Sequence, residues 1–280
     1  MSCALAVNEK SPLAGYYGGK GHLAPLIAAI VDSEEHKLYA EPFCGGASVF
    51  FACHKRENRL YILNDKDSRI TNFWRVGKTQ PEALFHVADE FGLDSDEFYD
   101  ISRSIYRHPK PDEDDTLAAW AVWYQSRRSF SGSLGSGRKR TTGNSKSQAR
   151  SHAFNLAKLK KQLGVLSLAS VENMDAAAFI LQYDKPDSFF YIDPPYVGAD
   201  QGPYSGYSRD DFRDLLKTLE TCEGKFILSH RPQSDLDEFA DRRGWHKTTI
   251  NTVARAAFGD KPPMTELLVM NFKPSVGLGV

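Results

Sequence analysis

The sequence of 280 residues predicts an α/β protein built around a largely parallel sheet. Two observations carry that prediction. About seven strand-like runs alternate with helical stretches, the order in which helices cross over between parallel strands. One of those runs, Phe189-Phe190-Tyr191-Ile192, has the aromatic and β-branched make-up of a strand buried on both faces.

Composition sets the outer bounds. The hydrophobic fraction is 41% and the charged fraction 25%, ordinary for a globular chain of a length that buries a full core. No apolar run is long enough to span a bilayer, and the start of the chain lacks the layout of a signal peptide. A cytoplasmic monomer with no membrane contact is expected. Cys3, Cys44, Cys53 and Cys222 form no Cys-x-x-Cys pair, so neither a metal site nor a disulfide framework is expected. Net charge is −1, so any polyanion must bind a local patch. Such a patch exists: Arg127 to Lys161 holds ten Lys or Arg and no acid, just after the acid-rich stretch Asp89 to Asp115.

In chain order, Gly15-Tyr16-Tyr17-Gly18-Gly19-Lys20 precedes a helix over His22 to Val31. Glycines before a helix allow a ligand close to the backbone, and a lysine there can meet a carboxylate. Leu38 to Ala40 reads as a strand, followed by the turn Phe43-Cys44-Gly45-Gly46 and a helix. That unit opens dinucleotide-type folds, but it is not Gly-x-Gly-x-x-Gly and offers no cation for a pyrophosphate. A second strand, Arg59 to Leu63, ends at Asn64-Asp65. Asp65 is placed either to bind ribose hydroxyls or to cap the helix starting near Asp67.

Helical spacing then predicts helices around Ile70 to Val76, Leu84 to Phe91, Phe98 to Tyr106 and Leu117 to Tyr124. Ser129 to Ser151 is too polar to pack and reads as a mobile loop or hairpin, followed by a basic helix over Phe154 to Leu163. Val165 to Ala169 reads as a strand and Asp175 to Gln182 as a helix ahead of the Phe189 strand. Beyond it come a helix over Arg209 to Thr221, a strand over Lys225 to Ser229, a helix over Ser234 to Arg242, and strands over Trp245 to Ile250 and Glu266 to Phe272. The last two strands have no helix signal between them, which predicts an antiparallel edge hairpin.

The Phe189 strand stops at Asp193-Pro194-Pro195-Tyr196. Proline offers no N–H to a ladder and stiffens the residue before it. A carboxylate and a fixed carbonyl therefore meet at the carboxyl end of a central strand, beside an aromatic face. Those parts suit an exocyclic amine on a planar ring, whose two N–H donors go to the two oxygens while the tyrosine stacks.

Taken together and in order, Tyr16 to Lys20, Glu41 to Phe50, Tyr61 to Asp65, Asp193 to Tyr196 and Glu266-Leu267-Leu268 resemble the Dam-like DNA adenine-N6 methyltransferases of the D12 class. The resemblance implies a mainly parallel seven-stranded Rossmann-like methyltransferase sheet with a helical target-recognition insertion. Residues 1–69 and 162–280 would form the catalytic domain and 70–161 the insertion. It implies S-adenosylmethionine across Tyr16, Lys20, Phe43, Gly45, Gly46 and Asp65, with Asp175 and Asp193 on the cofactor side. Asp193, Pro194, Pro195 and Tyr196 would be the catalytic tetrad, and double-stranded DNA the substrate. Arg127, Arg128, Arg138, Lys139 and Arg140 are the expected DNA contacts. Phe130, where the family places a hairpin aromatic, either fills the gap left by an extruded base or belongs to the core. The rivals are a cytosine-N4 or glutamine methyltransferase, which more often have Ser or Asn in place of Asp193, and a DNA-binding relative without catalysis.

Overall fold

A computed structural model describes residues 9–13, 15, 18–91, 95–109, 115–138, 145–198, 206–253 and 263–276. The elements run α1 (Ala24–Ser33), β1 (Leu38–Glu41), α2 (Ser48–Ala52), β2 (Leu60–Asn64), α3 (Ser68–Thr79), α4 (Pro81–Glu90), α5 (Asp96–Arg107) and α6 (Asp115–Arg128). A 3-10 turn (Phe130–Gly132), α7 (Ser145–Leu166), β3 (Ala169–Glu172), α8 (Ala176–Tyr183) and β4 (Ser188–Ile192) follow. The chain then forms α9 (Arg209–Glu220), β5 (Lys225–His230), α10 (Ser234–Arg243), β6 (His246–Val253) and β7 (Pro263–Met270).

The seven strands form one sheet in the order β3-β2-β1-β4-β5-β7-β6. It is a mixed sheet: four neighbouring pairs are parallel, and β7 pairs antiparallel with both β5 and β6. The α/β class and the seven strands match the expectation. Strand order reverses between β1 and β4, so the helices after these strands leave on opposite sides and a crevice opens at their carboxyl ends.

Side-chain alternation sorts the sheet into two faces. Tyr39, Tyr61, Phe189, Tyr191, Ile227 and Leu268 face a core shared with helices α1 to α7. Leu38, Ala40, Ile62, Phe190, Ile192 and Phe226 face a second core filled by α8, α9 and α10. β1 and β4 are buried along their whole length, as continuous apolar strands in a parallel array should be. The helical segment after β2 has no core of its own; Trp74, Trp120 and Leu163 belong to the same cluster as Tyr39 and Phe189. Among the described residues, no helix is long and apolar enough to cross a membrane.

Two expectations change. Val165 and Leu166 end α7 instead of starting a strand, and β3 begins at Ala169. A short aliphatic run reads alike in a buried helix turn and a buried strand. Packing decides: Gly77 lets α7 close on α3, since a Cβ there would lie 2.8 Å from Leu163 Cδ2 and 3.2 Å from Leu166 Cδ2. In the polar stretch after α6 the described residues follow the hairpin alternative, and the helix beyond them starts earlier than Phe154. Ser129 bridges Arg138 in antiparallel fashion, and α7 begins at Ser145. The buried Gln125 amide holds this turn: its Oε1 accepts from Ser129 Oγ (2.8 Å) and Gly135 N–H (3.1 Å), and its Nε2 donates to Ser102 Oγ (2.7 Å).

Glu41 closes β1 from a fully enclosed position, its Oε1 accepting from the Tyr39 hydroxyl and the Phe50 N–H, each at 2.7 Å. Burial pushes this carboxyl up to about 8, against the pull of those two donors. An acid whose folded pKa exceeds its unfolded value holds a proton that the unfolded chain has released. Its contribution to stability is therefore present below pH 4.5 and lost as pH rises through about 8. The melting temperature of Glu41→Gln should gain on that of the wild type steadily across this window. A calorimetric difference that stays constant with pH would contradict the assignment.

Candidate active site

β4 ends at Asp193 because Pro194 cannot continue the ladder, whose last pairing with β5 is Ile192 to Leu228. Three other segments bring polar groups to that point. Lys20, from the N-terminal loop, places Nζ 2.8 Å from Asp193 Oδ1 and 3.0 Å from Oδ2, and also donates to the Gly18 carbonyl. Ser229, from β5, donates to Asp193 Oδ1 at 2.9 Å and lies 3.1 Å from the Tyr191 hydroxyl. Glu266, from β7, sits 3.6 Å from Lys20 Nζ and accepts the Tyr196 hydroxyl proton in a short hydrogen bond. Two carboxylates thus share one ammonium, and the Arg231 guanidinium lies 5.8 Å from the Tyr196 ring.

Tyr196 is held on several sides. Lys20 Nζ lies over its ring at 4.7 Å, and the His230 ring packs at 4.6 Å with a 40° tilt. Its hydroxyl is 3.5 Å from Asp193 Oδ1. Burial lowers the His230 pKa, so that ring is neutral around pH 7. Burial raises the Glu266 pKa; Lys20 pulls it down and the charge of Asp193 pushes it further up.

The glycine turn after β1 lines the other side of the crevice. Cys44 N–H bonds the Asn64 carbonyl at 2.8 Å, and Gly45 N–H bonds Asp65 Oδ2 at 2.9 Å. Gly45 has φ +44°, a conformation that glycine adopts without strain, and its carbonyl accepts from Trp74 Nε1 at 3.0 Å. Phe43 meets Tyr207 edge-on at 5.9 Å. Asn64 ties this turn to the loop before α8, donating to the Pro42 and Met174 carbonyls and accepting from Met174 N–H.

Asp65 does not cap α3; Asp67 does, through the Arg69 N–H. Asp65 instead accepts from Gly45 and Asp67 backbone N–H groups, and burial pushes its pKa up to about 6 against them. The Lys66 backbone N–H is a third donor toward it, and of a carboxylate's about four acceptor positions one is left for a ligand. Asp175 caps α8 through Ala177 N–H and pairs loosely with Lys66 at 3.5 Å. Lys20, Asp193 and Tyr196 are therefore in mutual contact, while Phe43, Gly45 and Asp65 form the adjoining turn. Tyr16 lies outside the described residues.

The expected DNA contacts divide. Arg127 and Arg128 end α6, where the helix dipole favours cations, and lean over Trp123 and Tyr124 at 5.4 and 5.9 Å. Burial, then the charge of Arg128, lowers the Arg127 pKa to about 10. Phe130 is 57% exposed, which removes the core reading. Arg138 is ion-paired with Asp96, so its charge is already committed. Lys139 and Arg140 lie outside the described residues. The N-terminal loop touches this region: a Cβ on Gly15 would lie 2.1 Å from the Ser126 carbonyl oxygen in the last turn of α6.

Sequence reading did not single out Ser229 or Asn64, and it met Glu266 only as part of a motif. An isolated polar residue in an apolar strand gives no sign of which strand end it will face. The only available signal for Glu266 was a carboxylate inside a strand otherwise bound for the core, a burial that needs a partner.

A partly buried carboxylate next to a glycine turn, at the switch point of an open α/β sheet, marks the place where such folds bind ligands. The chain belongs to the family described as D12 class N6 adenine-specific DNA methyltransferase, whose model matches residues 16–248. It is 23% identical to the type II methyltransferase M1.LlaDCHI of Lactococcus lactis subsp. cremoris, over 93% of this chain and 95% of the relative. It is 25% identical to the type II methyltransferase M.MjaIII of Methanocaldococcus jannaschii, over 94% of this chain and 100% of the relative. A DNA N-6-adenine-methyltransferase of Escherichia phage P1 is 27% identical over 64% of this chain and 23% of the relative. The reaction class is therefore methylation of adenine N6 in DNA.

Glu266→Gln removes the charged acceptor of Tyr196 and one of the two counter-charges of Lys20. A hydrogen bond to a charged group is worth about 1.5–3 kcal/mol, which corresponds to roughly 10- to 100-fold in kcat if the arrangement serves the transition state. Steady-state kinetics should show that fall in kcat with little change in KM for DNA; unchanged kcat would remove Glu266 from the site.

Proposed function

We propose that the crevice between β1 and β4 methylates N6 of an adenine rotated out of double-stranded DNA, with S-adenosylmethionine as the donor. The observation that carries this reading is Asp193 at the end of β4, held by Lys20 and Ser229 and followed by the Pro194 carbonyl beyond the last ladder pairing.

Adenine N6 is a poor nucleophile because its lone pair is delocalised into the ring. Hydrogen bonds from its two hydrogens to Asp193 and to the Pro194 carbonyl favour a pyramidal nitrogen with the lone pair free. Tyr196, fixed in place by Glu266 and His230, would stack on the base and set its plane. The Asp193 carboxylate, accepting one N6 hydrogen, would place negative charge where positive charge develops on N6.

The residues present fit S-adenosylmethionine. Lys20 would hold its carboxylate, Asp65 a ribose hydroxyl, and the turn Phe43 to Gly46 its close approach, with Asp175 at the rim. When bound it supplies an electrophilic methyl on a sulfonium. Among the described residues, no cluster of His, Cys, Asp or Glu could hold a metal ion.

On this reading residues 70–161 are the target-recognition insertion, seated on the catalytic domain formed by 1–69 and 162–280. Arg127, Arg128, Lys139 and Arg140 meet phosphates or guanine edges, and Phe130 enters the gap left by the flipped base. Arg138, paired with Asp96, serves the turn itself. The enzyme works as a cytoplasmic monomer on duplex DNA.

Asp193→Ala tests the assignment. Methyl transfer to adenine-containing DNA should fall by at least about 10²–10³-fold, the cost of losing one preorganised polar partner, while calorimetry still detects donor binding. A variant that keeps near-normal turnover would falsify the role given to Asp193.

A further inference from the structure

Helix α7, Ser145 to Leu166, carries Lys146, Arg150, Lys158, Lys160 and Lys161 and no acid in its whole length. Its inner face is fixed by Leu156, Leu159, Leu163 and Leu166, all buried. Arg150, Phe154, Ala157 and Lys161 follow at spacings of four, three and four, so they form one stripe on the opposite side. All four are exposed. Phe154 is 69% exposed, more than Phe130 at the expected DNA turn.

The charges on this helix are only partly neutralised. Lys161 pairs with Glu9 and Lys160 with Glu82. Arg150 and Lys158 make no ion pair among the described residues. Lys158, on the flank of the stripe, lies in the field of Arg127 and Lys10, with Glu9 as the opposing charge. The basic face of α7 is thus continuous with the end of α6. Like charges gathered on one surface repel one another, and a polyanion laid across them relieves that cost. The reach is adequate: the chain from Glu9, beside α7, to Lys20 at Asp193 spans at most about 40 Å, roughly 12 steps of a duplex at 3.4 Å each.

We propose that the outer stripe of α7 is a second DNA-binding surface, separate from the turn at Phe130. Arg150 and Lys158 grip phosphates of the duplex flanking the target, and Phe154 packs on the sugar edge between them. The inference rests on the methyltransferase reading but concerns affinity for flanking DNA and not the chemistry.

The test uses full-length protein carrying Arg150→Ala with Lys158→Ala, and separately Phe154→Ala. Binding to mixed-sequence duplexes of about 10 and about 30 base pairs is followed by fluorescence anisotropy across a salt series, since the phosphate contribution is independent of sequence. On the long duplex the double variant should lower the log–log salt slope by about 1.8, so the affinity lost between about 50 and 200 mM salt shrinks roughly tenfold. On the short duplex, which offers fewer phosphates to the flank, the change in slope should be smaller than on the long one. Phe154→Ala should weaken long-duplex binding several-fold. Melting temperatures and kcat on saturating unmethylated plasmid DNA should stay at wild-type values, because none of the three side chains supports the core or touches the crevice.

An unchanged salt slope on the long duplex, or an equal loss on the short one, would overturn the proposal. So would a stripe that serves a second copy of the chain: Phe154→Ala would then shift sedimentation and leave DNA affinity alone. Because Asp193→Ala abolishes transfer without touching α7, failure here leaves the catalytic reading standing. Failure of that variant leaves the salt slopes as an independent measure.

Discussion

The ion pair between Lys20 and Asp193 joins the two ends of the molecule's logic. Lys20 comes from a loop at the start of the chain, and Asp193 from the end of a central strand more than half the sequence away. Their contact at 2.8 Å pins that loop over the crevice where strand order reverses. The same loop packs on the last turn of α6 through Gly15, too tightly to admit a side chain. The crevice and the end of α6 are therefore each contacted by the same N-terminal loop.

Around that pair the site is built by charge balance. An ammonium between two carboxylates is stable only if each carboxylate has further donors, and they do: Ser229 serves Asp193, and Tyr196 serves Glu266. Buried acids left without such partners would protonate, as Glu41 tends to even with two donors. The arrangement fixes Tyr196 in advance of the base that the proposed function gives it. Ordering it in advance means that less freedom is lost on binding.

The segment between β2 and β3 carries its basic surface without a separate core. Its helices draw on the same hydrophobic cluster as the sheet, so their outer faces are free for basic residues. Arg127, Arg128, Phe130 and the stripe on α7 all lie on helices or turns whose inner sides are locked by Trp120, Gln125 and Leu163. Rigid placement matters for a contact that must set the register of a long polyanion.

The α/β class, the glycine turn after β1 and the stop at Asp193-Pro194 were legible in the sequence because each depends on local chemistry. Alternation of apolar runs, the permissive φ of glycine and the missing N–H of proline act within a few residues. The bounds of α7 and β3 were not legible, because a short aliphatic run is ambiguous until Gly77 lets one helix close on another. Whether Asp65 or Asp67 capped α3 was likewise open until the Gly45 N–H claimed Asp65. The partnership of Lys20, Asp193, Ser229 and Glu266 was decided by tertiary structure: the sheet sets β7 antiparallel beside β5, the N-terminal loop carries Lys20 to their ends, and residues up to 246 positions apart (266 − 20) meet. Local rules govern what a backbone segment can do; which side chains neutralise one another depends on which strand ends meet, and that is settled only when the whole sheet is assembled.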